Sequence, residues 1–405
     1  MYIKRFIEDK FKASAKEYKV ILLTGPRQVG KTTMLKKIMD DEGKGRNYVS
    51  LDNMTEFELA KDPNNFFSIH KLPILIDEIQ YAPNLFRKIK EIVDSGCENG
   101  DIWITGSQSY KLMEGVSESL AGRISIIEMQ SLSQAEIDGR ENITFDIDNI
   151  VGKNHISGYD IDDCFKRLYK GSMPSIISGE KKNIDEYYEN YIASYIDRDV
   201  LYISKSIDRF EYYKFVKALA TRIGQVINVN DLSNELGINV KAINNYLSIL
   251  ETLGVIFFEH SYSNNLLKRT IKKPKLYFWD LGLATHIINW GNYEVVRDSA
   301  MSGHYFENFV ISELKKNFIN ASIKVNTYYY RDKDKKEIDF IYEKSAKFHF
   351  IEIKSTTNVN KSMIKSFETI KVEAPYTIGS GAIICPIDRE SKLDDKNYII
   401  PVGSI

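Results

Sequence analysis

The sequence predicts an α/β protein in four parts: a parallel-sheet domain (1–135), a helical connector (136–205), a three-helix-and-hairpin module (206–275) and a mixed α/β domain (276–405). Three observations carry this expectation. Near-continuous apolar runs alternate with helix-period runs up to residue 135, the pattern of parallel strands covered on both faces. The glycine-bearing octapeptide GPRQVGKT (25–32) stands between the first such strand and the first such helix. Two late alternating runs, EIDFIYE (337–343) and FHFIEIKS (348–355), carry carboxylates at strand spacing.

The strands come first. KVILLTG (19–25) is a short apolar run ending on Gly25, and KTTMLKKIMD then sets Leu35, Ile38 and Met39 on one helical stripe. Further strands are expected at NYVSLD (47–52), LPILID (72–77), DIWITG (101–106) and ISIIEM (124–129). Helical runs such as APNLFRKIKEIVD (82–94) separate them.

GPRQVGKT fits the phosphate-loop pattern G-x-x-x-x-G-K-[ST] in the strand–loop–helix context that gives the pattern meaning. The expected nucleotide-binding residues are Gly25, Pro26, Arg27, Gln28, Val29, Gly30, Lys31, Thr32 and Thr33. Cβ atoms at Gly25 and Gly30 would crowd a phosphate, while backbone N–H groups and the helix N-terminus meet the anion. Lys31 can reach the β- and γ-phosphates, and Thr32 can ligate Mg2+. PILIDEIQ (73–80) supplies Asp77 to hold Mg2+ and Glu78 to polarise the attacking water. The absence of an NKxD guanine-reading motif points to ATP. In WITGSQS (103–109), Ser107 or Gln108 is a candidate γ-phosphate sensor. Arg123 is a candidate arginine finger reaching a neighbouring subunit, which implies a homo-oligomer; the alternative is an ordinary salt bridge in its own chain.

The motifs at 25–32, 77–78 and 123 resemble those of AAA-type ATPases of bacteria and archaea. In one such group the ATPase domain is followed by a winged helix and a restriction-endonuclease-like domain. YIDRDV (195–200), KLYFWDLGLA (275–284), GHYFENFV (303–310) and IEIKS (351–355) look like that group's signatures, so the resemblance covers most of the chain.

The downstream runs agree with it. FEYYKFVKALATRIG, VNDLSNELG and NVKAINNYLSILETLG read as three helices, followed by the strands VIFFEH and LYFWD, which is the winged-helix pattern. Asn239, Lys241, Asn244 and Asn245 open the third helix, where Asn can pair with adenine. The basic run KRTIKKPK (268–275) is a candidate phosphate-touching wing. Residues 206–275 carry ten Lys and Arg against six Asp and Glu, a modest footprint for DNA. The bland alternative is a module that packs between domains.

In the last domain, alternation puts Glu352 and Lys354 on one strand face with Phe350, and a hairpin brings Asp339 beside them. Glu307, on a helix with Val310, Ile311 and Leu314, can point at the sheet. Glu307, Asp339, Glu352 and Lys354 make the PD-(D/E)xK nuclease pattern, in which a second Mg2+ or Mn2+ generates hydroxide and the lysine steadies the anion. A silent domain of the same fold is the alternative.

Composition bounds the rest. A hydrophobic share of 43% and a charged share of 27% describe ordinary globular domains. A net charge of −1 gives no global field to recruit nucleic acid, so a basic patch must hold any such partner. Cys97, Cys164 and Cys385 form no CxxC pair, and the six histidines show no ligand spacing, which disfavours a zinc site or a disulfide framework. With no signal-peptide h-region and no long apolar run, the expectation is a cytoplasmic protein without a membrane partner. The sequence thus predicts an Mg2+-dependent ATPase whose nucleotide state switches the downstream domains, either acting on DNA or working as a regulatory switch.

Overall fold

The computed structural model describes residues 2–107, 116, 120–150, 159–196, 208–265, 269 and 272–405. Gln108 and the side chains of 195–200 lie outside the described residues, as does part of the basic run at 268–275. Two compact units form, one from Met1–Leu132 with Thr252–Gly254 and one from Ser133–Glu251 with Val255–Ile405.

The first unit is built on five strands: β1 (Val20–Gly25), β2 (Asn47–Ser50), β3 (Ile74–Asp77), β4 (Ile102–Ser107) and β5 (Ile124–Glu128). They lie in the order β2-β3-β4-β1-β5, and every pairing is parallel. Each strand coincides with one of the expected apolar runs. Alternation explains why they are apolar throughout. Val20 and Leu22 enter one core with Ile76, Ile104 and, from the helix Leu85–Gly96, Phe86 and Ile89. Ile21 and Leu23 enter the other with Phe11, Leu35, Ile38 and Trp103. Both faces are covered, so the body of each central strand is apolar, and polar residues (Thr24, Asp77, Thr105, Ser107) enter only towards the C-terminal ends. Only the edge strands β2 and β5 relax this pattern.

Spatial order departs from chain order at one place that matters. β4 lies between the strand that feeds the phosphate loop and the strand that ends in Asp77.

The second unit contains the helices α1 (Arg209–Ala220), α2 (Val229–Leu236) and α3 (Val240–Thr252), the last of which ends at the boundary between the units. The strands β6 (Ile256–Glu259) and β7 (Lys275–Phe278) follow as an antiparallel pair. Gly237 ends α2 at φ +71°, a conformation that favours glycine. Asp280 caps the helix Leu281–Ile288 through the Leu283 N–H at 2.9 Å. The same carboxylate accepts from Ser172 N at 2.7 Å and from the Tyr188 hydroxyl at 2.7 Å. The aspartate of WDLGLA therefore ties the connector to the helix it caps.

The helix α4 (Ser302–Asn320) precedes a six-stranded mixed sheet, β8 (Asn326–Arg331) to β13 (Asn397–Pro401), in the order β12-β13-β11-β10-β9-β8. β9 (Glu337–Lys344) and β10 (Lys347–Ile353) form the hairpin, with Phe340 opposite Ile351 and Ile341 opposite Phe350. Ser345 and Ala346 turn it at φ +52° and +58°. β11 (Thr377–Cys385) and β13 then pair in parallel beyond β10. Of these, β13 and the short β12 (Ser391–Lys392) went unanticipated.

Trp103 is fully buried, with Phe11 edge-on at 4.9 Å and the Arg46 guanidinium 3.6 Å from its ring centroid. Trp103→Ala is expected to destabilise the first unit by about 3–5 kcal/mol, read as an earlier transition in urea unfolding.

Candidate functional site

The phosphate loop is shaped by backbone demands before any ligand arrives. Gly25 has φ +149°, and a Cβ there would stand 2.0 Å from the Met129 carbonyl oxygen. The glycine is therefore required by the chain beyond β5, and not only by the approach of a phosphate. Gln28 and Gly30 continue the turn at φ +62° and +94°. Helix Lys31–Glu42 starts from Gly30 without a side-chain cap, so its first N–H groups face the loop unserved by a side chain.

Lys31 is 6% exposed and donates to the carbonyls of Gly25 at 2.9 Å and Pro26 at 2.6 Å. Burial pulls its pKa down to about 8, against the opposing pull of Glu78 and Asp77, while Arg27 lowers it further. The Thr32 hydroxyl donates to Asp77, 2.9 Å from Oδ1 and 3.0 Å from Oδ2. Two further hydroxyls reach the same carboxylate: Tyr48 at 3.0 Å, and Thr105 through a short contact to Oδ1. Burial, then Asp77, pushes the Tyr48 hydroxyl up to about 12, which keeps it a donor.

Glu78 sits in left-handed backbone, φ +59°, uncommon for a residue with a side chain. Its carboxylate accepts a short hydrogen bond from Gln80, whose amide also reaches the Ser107 hydroxyl at 3.2 Å. Gln80 Oε1 is buried without a partner. Ser107 pairs in register with Gly25, at the mouth of the loop. Tyr48, Gln80, Thr105 and Tyr81, which takes a 3.3 Å bond from Arg27, were missed by sequence reasoning. Single hydroxyls and amides have no spacing signal; only the strand order brings them together.

These residues fit a nucleoside triphosphate with Mg2+. Among the described residues the Lys31 ammonium is held by carbonyls of its own loop, Thr32 and Asp77 present hard oxygens side by side, and a buried amide oxygen is left over. Val29 is buried and the remaining expected loop residue, Thr33, lies on the first turn of the helix. Arg123 is elsewhere. At the surface its guanidinium holds Asp94, 2.7 Å to Oδ1 and 3.3 Å to Oδ2, within its own chain.

The second cluster lies in the second unit. Continuing the β9/β10 register by one step sets Asp339 across from Glu352, on the face Glu352 shares with Lys354. Lys354 Nζ stands 2.6 Å from Glu352 Oε1 and 3.9 Å from Asp339 Oδ2. Asp339 Oδ2 also accepts from Ile353 N at 2.8 Å. Burial and the neighbouring carboxylates raise the pKa of both acids. Glu352 Oε2 is buried with no partner.

Glu307 reaches this region but is engaged by β7. Its Oε1 accepts from Lys275 Nζ at 2.8 Å and from the Tyr277 hydroxyl at 2.6 Å. Lys275 also forms a short ion pair with Glu337. This corrects one expectation: Lys275, the last lysine of the basic run, is 3% exposed and turned inward, so it does not face DNA. Lys275, Tyr277 and Glu337 were not singled out in the sequence, where Lys275 looks like one more member of a charge run. No group of three or more His, Cys, Asp or Glu among the described residues could hold a metal ion. Of the four expected nuclease residues, Asp339 and Glu352 share Lys354, while Glu307 is held by Lys275 and Tyr277.

Residues 17–138 match the AAA domain family, and residues 161–294 and 302–405 match two domains of unknown function. An uncharacterized protein of Mycobacterium tuberculosis is 25% identical over 391 residues, covering 95% of this chain and 80% of its own. One of Haemophilus influenzae is 23% identical over 352 residues, covering 82% and 81%. Among solved structures, the Thermotoga maritima RuvB Holliday junction branch migration motor is 17% identical, over 63% of this chain and 89% of its own, at a TM-score of 0.31. At that score the likeness carries no inference. No helix among the described residues is long and apolar enough to cross a membrane.

With Lys31 in the loop, nucleotide binding is expected to depend on pH. Its charged form attracts phosphate, so in the unliganded protein that attraction is present below about 8 and lost as pH rises through it. Binding of ADP at pH 8 is expected to take up protons, read by calorimetry in buffers of different ionisation enthalpy. Affinity is expected to fall between pH 7.5 and 9; a flat profile contradicts the assignment.

Proposed function

We propose that the protein is an Mg2+-dependent ATP-binding protein and ATPase, whose nucleotide state switches the second unit. The single observation that carries this is the Thr32–Asp77 contact at the mouth of a loop holding Lys31. In this reading the loop's backbone N–H groups receive the phosphates. Lys31 exchanges its two carbonyls for phosphate oxygens, and Thr32 and Asp77 are the residues that would hold Mg2+, which supplies charge neutralisation. Glu78, held by Gln80, orients and polarises the attacking water. Arg123, released from Asp94, would serve a neighbouring copy in an assembly.

The module of α1, α2, α3, β6 and β7 is read as a winged helix, and α4 with β8–β13 as a nuclease-like fold, together offering DNA as partner. Asn244 and Asn245 are exposed on α3 in support, while Asn239 caps the helix through Ala242 N at 2.8 Å. The second reading, a regulatory switch whose nuclease-like unit is silent, is favoured by the pairing of the buried Lys275 with Glu307.

Two predictions separate these statements. Lys31→Ala is expected to abolish ATP binding, and Glu78→Gln to keep binding while lowering turnover by about 10²-fold or more, measured by phosphate release. Unchanged turnover in Lys31→Ala rejects the ATPase. Incubation with DNA or RNA and Mg2+ or Mn2+ tests the nuclease: cleavage lost in both Asp339→Ala and Lys354→Ala establishes it, and no cleavage by the parent protein leaves the switch.

A further inference from the structure

We infer that the ammonium of Lys275 stands in the place of a divalent cation, so that the acidic cluster of the second unit is neutralised from within. The inference rests on the second reading above and gives it a cause.

Lys275 is the first residue of β7, opposite Glu259 on β6, in a strand whose every residue is buried. An ammonium so placed needs anions, because burial alone disfavours its charge. It finds two at once, Glu307 of α4 at 2.8 Å and Glu337 at the start of β9. Asp339 lies two residues further along β9 and acts on the same charge. Glu307, Asp339 and Glu337 outweigh the burial and raise the lysine's pKa. The Tyr277 hydroxyl, two residues along β7, adds a 2.6 Å donor to the same Glu307 oxygen.

A hard divalent cation would need these same oxygens. Mg2+ collects carboxylate oxygens at roughly 2.0–2.1 Å around one point. Here Glu307 and Glu337 are collected around Nζ, and Glu352 and Asp339 are drawn to the ammonium of Lys354. The acids are divided between two tethered cations. The leftover ligand is Glu352 Oε2, buried and unpartnered. Removal of the Lys275 charge leaves Glu307 without its ammonium, while Glu337 keeps only Arg331 at 3.8 Å and Asp339 only Lys354 at 3.9 Å, and Glu352 Oε2 is free to complete a set of oxygens.

The test titrates Mn2+ into full-length protein without nucleotide, in an Asp77→Asn background that removes the metal-holding acid of the phosphate loop. Lys275→Met is expected to gain a Mn2+ site at least tenfold tighter than the Lys275 chain shows. Near-saturating Mn2+ is expected to raise that variant's Tm by about 5 °C while leaving the Lys275 chain unmoved. Lys275→Arg keeps the charge and is expected to gain nothing. A folded Lys275→Met that gains no site overturns the inference. So does a Lys275 chain that binds Mn2+ as tightly as the variant and loses it in Glu307→Gln. If Lys275→Met does not fold, Tb3+ luminescence of the Lys275 chain decides. Tyrosine-sensitised emission abolished by Glu307→Gln overturns the inference, and its absence upholds it. DNA cleavage by the parent protein rejects the silent reading on its own; the metal titration judges only the lysine.

Discussion

One carboxylate organises the first unit. Asp77 ends β3, and hydroxyls arrive at it from β2 (Tyr48), from β4 (Thr105) and from the helix that leaves the phosphate loop (Thr32). Three strands and a helix thus converge on one acid at the C-terminal edge of the sheet, the edge where parallel α/β sheets open their binding crevices. A buried carboxylate demands partners, and here they are neutral donors. None of them cancels its charge, so the acid is positioned without being spent in a salt bridge. Lys31, the nearby cation, is instead turned onto the carbonyls of Gly25 and Pro26.

The second unit answers the same demand in the opposite way. Its acids meet lysines: the half-buried Glu307 and Glu337 meet Lys275, and the buried Glu352 meets Lys354. Removing Glu307 leaves the Lys275 ammonium, itself buried, with less compensation in a poor solvent, which is destabilising. The cluster therefore holds β7, α4 and β9 to one another, whatever else it does. The two acidic centres of the chain differ in their company: hydroxyls surround Asp77, and lysines divide the acids of the second unit.

Much of this could be read from the residues in order. Strands β1 to β5 were legible because a strand buried on both faces has an apolar body, with polar residues only near its end, and the phosphate loop was legible because its chemistry constrains eight consecutive residues. The β9/β10 hairpin was legible too: alternation alone put Glu352 and Lys354 on one face, and a short turn put Asp339 opposite. β12 and β13 escaped because Ser391–Lys392 is two residues long and NYIIP carries a proline at its end.

What the sequence determined by itself is local: the loop, the acids that follow an apolar strand, the face on which each strand side chain stands. Those follow from backbone periodicity, which acts over a few residues. Tertiary structure decided which strands are neighbours, and with that the company each acid keeps. β4 enters between β1 and β3 and brings Thr105 to Asp77. Arg123 meets Asp94 at the surface. Lys275, written in the chain as the end of a basic run, is carried inside by β7 to Glu307 and Glu337. A charge's sign is printed in its residue, but its partner is set by packing at long sequence separation, which no local pattern encodes.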